Sequence, residues 1–507
     1  MSFGPADFAG FGGLNLAADA EDSPGALDLS NVSLSQPGPS RLAARPGYTL
    51  IGTENLSTVD GMTPDASSSK HLMGTGSDVV ALVDTASGAI STSFSAAGSS
   101  SDPWTFVRTG QAELWGANGP NFVKVVPPST ITEPTVETQA AGATSFTAGR
   151  VRPYPYTLAV QPKDNRLVAA GFGGTTTGPN GTTSSPSHVF FSQPDNGLKW
   201  DETDYVILSP DRESIRAACS FAEYLFVFKQ SKFFVFYGNS VDSTGGTVFN
   251  YRTVGNAFGG SNNDLYQGQV CSAPSGVYVI TDTGVWKTTG SAPVLVSPGL
   301  SPLFNQNVST LAYQGTGYTK LAPRSATGSG GSFWHQGKVY FSVTITRSTA
   351  TTSSGWLILD EQSGQWTVWE LADTPRVGAS VSGGIVFPSG LSTTGRKGLL
   401  SMDGTATTDN GTAIASYYTS PYLTYGEPKA EKHVRASELH GTGTVTLAWG
   451  KDLQTHGTAE TVAMSSGIGH ARTGARGRVL SFKIAASAAG WTVNRVVPML
   501  QAVRTGK

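Results

Sequence analysis

Charge is scarce in this chain. Lys, Arg, Asp and Glu make up 14 % of its 507 residues and the formal net charge is −2, where an ordinary globular protein is about a quarter charged. A chain so weakly charged does not hold nucleic acid through a field of phosphate contacts. Low net charge also favours association over life as a free monomer. Cysteine is almost absent: Cys219 and Cys271 make no disulfide framework. There is no apolar run of the roughly 18 residues that a membrane-crossing helix needs. The opening from Met1 to Asp7 has neither the basic start nor the apolar core of a signal peptide. Phosphate loops of the Gly-x-x-x-x-Gly-Lys-Ser/Thr type and Gly-x-Ser-x-Gly nucleophile elbows are missing. The 7 histidines give no i, i+4 pair on a helix, so no zinc site is expected.

Turns and strands are what the chain has in abundance. Gly 62 and Pro 28 make up nearly a fifth of it. Six stretches repeat one device, in which an apolar strand, a tight polar or glycine turn and a second strand rich in Val, Tyr, Phe or Leu follow one another. They are residues 104–115, 161–169, 218–228, 271–280, 333–341 and 381–387, and they recur every 50 to 60 residues or so. Such a period is the signature of β-propeller blades, because a lone hairpin cannot bury its faces and must stack on its copies. The expected fold is all-β, a propeller of six or seven blades over residues 51–405. Beyond residue 404 the device stops, and longer strands such as 443–449 and 478–484 predict a β-sandwich-like domain over 406–507. Residues 1–50, punctuated by Gly12-Gly13, Pro37-Gly38 and Pro46-Gly47, read as an irregular lead-in packed on the propeller or on a neighbouring chain. Cys219 and Cys271 take matched places on the first arms of adjacent hairpins, as small, reduced and buried side chains would.

Residues 192–200 resemble the Asp-box turn of sialidase-type propellers, with Asp195, Gly197 and Trp200 at that family's spacing. The serine stands one residue too far away, and Lys199 occupies the threonine's place. In that family the box is a structural turn, so the likeness implies a propeller and interior packing of Trp200. Trp366 follows a similar turn and is expected inside as well. No motif gathers the arginines, tyrosine and acid that a sialidase uses. No catalytic residue, metal or cofactor is expected.

The lead-in carries a second likeness. It reads Gly12-Gly13-Leu14-Asn15, then 26–32 ending in Asn31-Val32, then 41–48 with Arg41 and Arg45-Pro46-Gly47. This resembles the opening of tailed-phage tail nozzle proteins, the tail tubular protein B-like family. Stretches 162–168, 189–194 with Trp200, 222–229 and 275–286 follow the family's order, so the likeness covers roughly residues 8–405. It implies a structural virion subunit, usually in a ring of six, that continues the DNA ejection channel at the far end of the tail tube. The implied partners are copies of itself, a tail adaptor or gatekeeper, fibres or spikes, and DNA in transit without sequence-specific contact. No membrane insertion is implied, and assembly would occur in the host cytoplasm. Two alternatives stay open: a minor tail or receptor- or glycan-binding propeller at another tail position, and a sialidase-like glycan hydrolase.

Overall fold

The computed structural model describes Phe11, Ala26 and residues 28–35, 41–64, 70–75, 79–96, 98, 102–110, 113–126, 130–139, 147–150, 155–172, 186–209, 211, 213–241, 247–255, 258, 265–304, 318–324, 331–347, 351–425, 429–452, 454, 456–488 and 490–502. These residues form a β-propeller joined to a β-sandwich. The six hairpins of the sequence are the inner strand pairs of successive blades. Blade 2 starts with Thr105–Arg108 and Leu114–Ala117, blade 3 with Pro155–Gln161 and Arg166–Phe172, and blade 4 with Ala217–Phe221 and Tyr224–Phe228. Blade 5 starts with Val270–Ala273 and Gly276–Thr281, blade 6 with Ser332–His335 and Lys338–Arg347, and blade 7 with Ala379–Val381 and Gly384–Pro388. Blade 1 precedes them as Val59–Pro64, Lys70–Thr75, Val79–Asp84 and Ile90–Ser95, paired in that order.

Blades 1 to 6 are each built on a sheet of consecutive strands. Blade 7 is composite: its three C-terminal strands end on Leu399–Met402, and its outer edge is β4 (Thr49–Leu50) from the other end of the propeller segment. The inner strands touch in turn from blade 1 round to blade 7 and back to blade 1, which closes a ring of seven. Apolar clusters fill the gaps between blades. Trp115, Phe122, Leu158, Phe172 and Trp200 pack between blades 2 and 3. Phe333, Tyr340, Trp356, Ile385 and Phe387 pack between blades 6 and 7.

The sandwich corrects the expectation of an irregular lead-in. β1 (Asp28–Ser30), β2 (Val32–Ser35) and β3 (Arg41–Ala44) are strands, and they belong to the C-terminal sandwich. β1 pairs with Ser416–Thr419, and β3 pairs with Thr492–Ala502 and with β2. The long strand Lys432–Lys451 serves two sheets: its first half pairs with Thr492–Ala502 and its second half with Leu480–Ala486. It bends at a register shift between His440 and Gly441, followed by Gly443 at φ +83, a backbone region where glycine carries no Cβ penalty. Leu29, Val32, Tyr418, Trp449 and Phe482 fill the sandwich, and their cluster runs on into blades 5 and 6 through Leu303, Phe304 and Tyr318. The Gly12–Asn15 motif lies outside the described residues.

Candidate functional site

Inner propeller strands face one another across an axis and cannot share a backbone ladder, so side chains must join them. A chain of hydroxyls and one imidazole does this. Leu158 N donates to Thr105 Oγ1 of blade 2 at 3.2 Å. Ser220 Oγ of blade 4 donates to Val160 O of blade 3, and Ser272 Oγ of blade 5 donates to Ser220 O at 2.7 Å. Ser332 Oγ of blade 6 donates to Gly268 O at 2.8 Å, and His335 Nδ1 meets Ser380 Oγ of blade 7 at 2.8 Å. Each such bond is worth about 1 kcal/mol net. Together they tie the inner strands of blades 2 to 7 to one another around the axis.

Within that axis lies a cavity of ≈ 590 Å³, lined by Arg108, Gln267, Ser220, Ser272, Ser332 and Trp334 among others. Its volume falls in the range of small-molecule sites. The Gln267 amide oxygen is occupied, accepting Thr157 Oγ1 at 2.8 Å and Ala218 N at 2.9 Å. Arg108 has no carboxylate partner among the described residues. Near Trp334, Glu361 gathers donors: Trp334 Nε1 at 2.6 Å, Tyr278 OH at 3.0 Å and Ser275 Oγ. A tyrosine beside a glutamate has the parts of a nucleophile and base. Burial first, and the Glu361 charge after it, instead push the Tyr278 hydroxyl up to about 12, away from the pKa that such work needs. Burial also lowers the pKa of His335 and His188, which leaves both neutral at pH 7. No group of three or more potential metal ligands occurs among the described residues. Among the described residues no helix is long and apolar enough to cross a membrane.

The residues singled out in the sequence fall into two separate groups. Asn31, Arg45, Pro46 and Gly47 meet at the junction of sandwich and propeller. Arg45 is 1 % exposed. Its Nε donates to Asn31 Oδ1 at 2.9 Å, and its two terminal nitrogens fork onto Asp409 at 2.8 and 2.5 Å. The same nitrogens reach the carbonyls of Pro46 and Glu370. Asn31, at φ 55 between β1 and β2, donates from Nδ2 to Ala415 O and accepts from Glu370 N. Gly47 is where the backbone runs against Thr408, and a Cβ there would collide with that residue's main chain. Arg41 stays outside this junction, exposed on β3. Next along the chain, Tyr48 OH donates to buried Asp373 at 2.8 Å, and Arg396 bonds the same carboxylate. Asp409, Glu370 and Asp373 were missed in the sequence because they lie more than 300 residues from Arg45 and Tyr48.

Asp195, Gly197 and Trp200 sit on blade 3. Asp195, at φ 55, turns the chain between His188–Gln193 and Asn196–Ile207 and accepts from Asn165 Nδ2 at 2.6 Å. The Trp200 indole N–H reaches back to Gly197 O at 3.1 Å, closing the turn. Trp366 is 5 % exposed and donates to Val296 O.

Cys271 is buried, but Cys219 is only partly so, which corrects the expectation of two buried residues. Both are free, and the fold explains why. Cys219 joins the cluster between blades 4 and 5, whereas Cys271 joins the cluster on the other face of blade 5. The matched positions point both thiols the same way round the ring, with a sheet between them. Burial pushes the Cys271 thiol up to about 12 and raises Cys219 likewise, so both resist alkylation as thiols. Thiol titration without reductant is expected to find two free thiols per chain in denaturant and slow reaction in the native protein. Finding none in denaturant would overturn this.

No family model matches the chain, and no curated protein matches it. Solved structures similar to it are β-propellers. BamB from Moraxella catarrhalis is 13 % identical at a TM-score of 0.35, covering 79 % of this chain and 96 % of its own. The Neurospora crassa Pan2 WD40 domain is 10 % identical at 0.39, covering 70 % and 95 %. The RRP9 WD40 repeats are 8 % identical at 0.39, covering 71 % and 99 %.

Proposed function

We propose that this chain is a non-catalytic structural subunit of a bacteriophage tail, a ring-forming nozzle component that continues the DNA ejection channel at the far end of the tail tube. The observation that carries this reading is the junction at Arg45. The lead-in residues that resemble the nozzle family, Asn31 and Arg45 to Gly47, weld the sandwich to the propeller. A subunit that holds its place under the pressure of passing DNA needs such rigid, wedge-like construction. The propeller axis is hydroxyl-bridged and its cavity is ≈ 590 Å³, so DNA would pass through the central hole of a ring of copies. A near-neutral chain suits a conduit, because phosphate contacts would slow transit.

Ring closure needs apolar contact between copies. Apolar side chains are exposed toward the outside of blades 3 and 4: Tyr205 and Ile207 on Asn196–Ile207, Tyr237 on Phe233–Val241, and Val248 and Tyr251 on Thr247–Val254, and they are the candidates for contact between copies. The ring, a hexamer on the family's pattern, would meet an adaptor or gatekeeper on one side and fibres or spikes on the other. The reading as a receptor- or glycan-binding propeller elsewhere on the tail is favoured by one feature, the axial cavity lined by Arg108 and Trp334.

Imaging of the virion and mass measurement of the purified protein test the proposal. A ring at the tail tip is expected, and Ile207→Glu with Tyr237→Glu is expected to return it to monomers. A stable monomer that retains glycans would favour the receptor reading. Residence only in the infected-cell cytoplasm, or glycan turnover abolished by a point mutation, would overturn the nozzle.

A further inference from the structure

Three buried polar groups without a hydrogen-bond partner among the described residues lie where blades 6 and 7 meet, at the end where the inner strands begin. Arg324 follows the edge strand Tyr318–Pro323, and its backbone N–H bonds Ser342 O at 3.0 Å. Its guanidinium reaches across to the carbonyls of Thr374 and Pro375 at 2.9 and 2.5 Å. The next residue, Arg376, has its carbonyl fixed by Gly331 N at 2.7 Å. Gly331 immediately precedes Ser332, which pairs with Phe341, so Gly331 and Ser342 lie at one level of the blade. Two guanidinium groups are thus held close together, and neither has a carboxylate partner among the described residues. Burial, together with the Arg376 charge, brings Arg324 down to about 10, the direction expected of like charges set side by side.

The surrounding groups are unmatched in the same sense. Arg376 Nε, Ser342 Oγ and Trp356 Nε1 are all buried without a hydrogen-bond partner. Ser342 lies directly opposite Trp356 in the sheet, so their side chains share a face. That face is turned toward blade 7, because Trp356 packs edge-on against Phe387 at 5.0 Å. Buried donors left unpaired are destabilising, and each asks for an acceptor. Three donors and two positive charges ask for an acceptor that is also an anion.

We infer that this crevice binds a small oxyanion, a phosphate or carboxylate group, with Arg324 and Arg376 supplying charge and Trp356 and Ser342 supplying neutral donors. Guanidinium forks match the geometry of both groups. The segment that carries Arg376 is already ordered: Gly390 N bonds Asp373 O at 2.8 Å and Thr374 N bonds Leu371 O at 3.2 Å. The anion would therefore join blade 6 to the composite blade 7.

Calorimetric titration of the full chain with sodium phosphate, and separately with sodium acetate, against sodium chloride at equal ionic strength tests the site. Saturable heat is expected with at least one of the two, and binding about tenfold weaker in Arg376→Gln. Phosphate alone would identify a phosphate-bearing ligand, and acetate binding would identify a carboxylate. In chloride, the Gln variant is expected to melt no lower than the parent, because the lost guanidinium had no carboxylate partner. Should that variant fail to fold, Arg376→Lys is expected to bind about threefold more weakly, since it keeps the charge and loses the fork. Equal affinity in the substituted protein, or no saturable heat with either anion, would mean that the donors are merely hydrated, and would overturn the site.

Discussion

Replacing Trp200 with alanine is expected to lower stability by about 3–5 kcal/mol, the cost of emptying a large, well-packed site. Trp200 is 1 % exposed and sits among Trp115, Phe122, Leu167 and Phe190 between blades 2 and 3. The site has little freedom to collapse, because its walls are strands of two different sheets. Its neighbour in the turn reports on the same packing: a Cβ added at Gly197 would lie 2.7 Å from the Trp115 ring. Gly197→Ala is therefore expected to cost about 1–3 kcal/mol by overpacking. Chemical denaturation followed by circular dichroism measures both. A Trp200→Ala change within about 0.5 kcal/mol of zero, the range of ordinary surface positions, would mean that the turn is peripheral.

The blades were legible wherever turn and period were both local. Asn165 (φ 53), Ala222 (φ 51) and Gln336 (φ 46) mark turns in hairpins found from sequence alone, because a tight turn between two apolar runs is written in about ten consecutive residues. Blade 1 lies outside the six repeats, and its inner pair, Val59–Pro64 and Lys70–Thr75, was not legible. The inner pair carries Gly61, Pro64, Lys70 and Gly74, so it lacks the apolar signature of the other six. β1, β2 and β3 were hidden for a different reason. They are three or four residues long, Asn31 breaks β1 from β2 with a left-handed residue, and the strands that tie β1 and β3 into the sandwich lie far along the chain, beyond residue 415. Local pattern does not encode such pairings. The candidate site divides likewise. Asn31, Arg45 and Gly47 were found by resemblance, but Asp409 and Glu370, which give them their meaning, carried no signal of their own. The anion crevice shows the limit most plainly, since Arg324, Arg376, Ser342 and Trp356 become neighbours only when blade 6 meets blade 7.

Arg45→Met is expected to cost about 3–5 kcal/mol, because it leaves the Asp409 carboxylate charged and buried without its partner. Arg45 makes the fork onto Asp409, the bond to Asn31 and two bonds to carbonyls. Both members of the ion pair are nearly inaccessible, at 1 % and 6 % side-chain exposure, so solvent screens the pair little. Most of the loss belongs to the stranded charge. Asp409→Asn in the Arg45→Met background is therefore expected to recover part of it, and the double-mutant cycle should give a coupling of about 1–3 kcal/mol. The location of the pair adds a second expectation. Arg45 joins β3 of the sandwich to the outer strand of blade 6 and to the short hairpin at Asp409, so its loss should uncouple the two bodies. Denaturation monitored separately in propeller and sandwich is expected to give coincident transitions in the parent protein and separated ones in Arg45→Met. Deleting residues 1–48 would be a poorer probe, because it removes three strands of the sandwich along with the junction. A loss below about 1 kcal/mol, within what exposed ion pairs contribute, together with transitions that stay coincident, would show that the two bodies hold together without Arg45. The resemblance at Arg45-Pro46-Gly47 would then lose its structural meaning, and with it the main support for the nozzle.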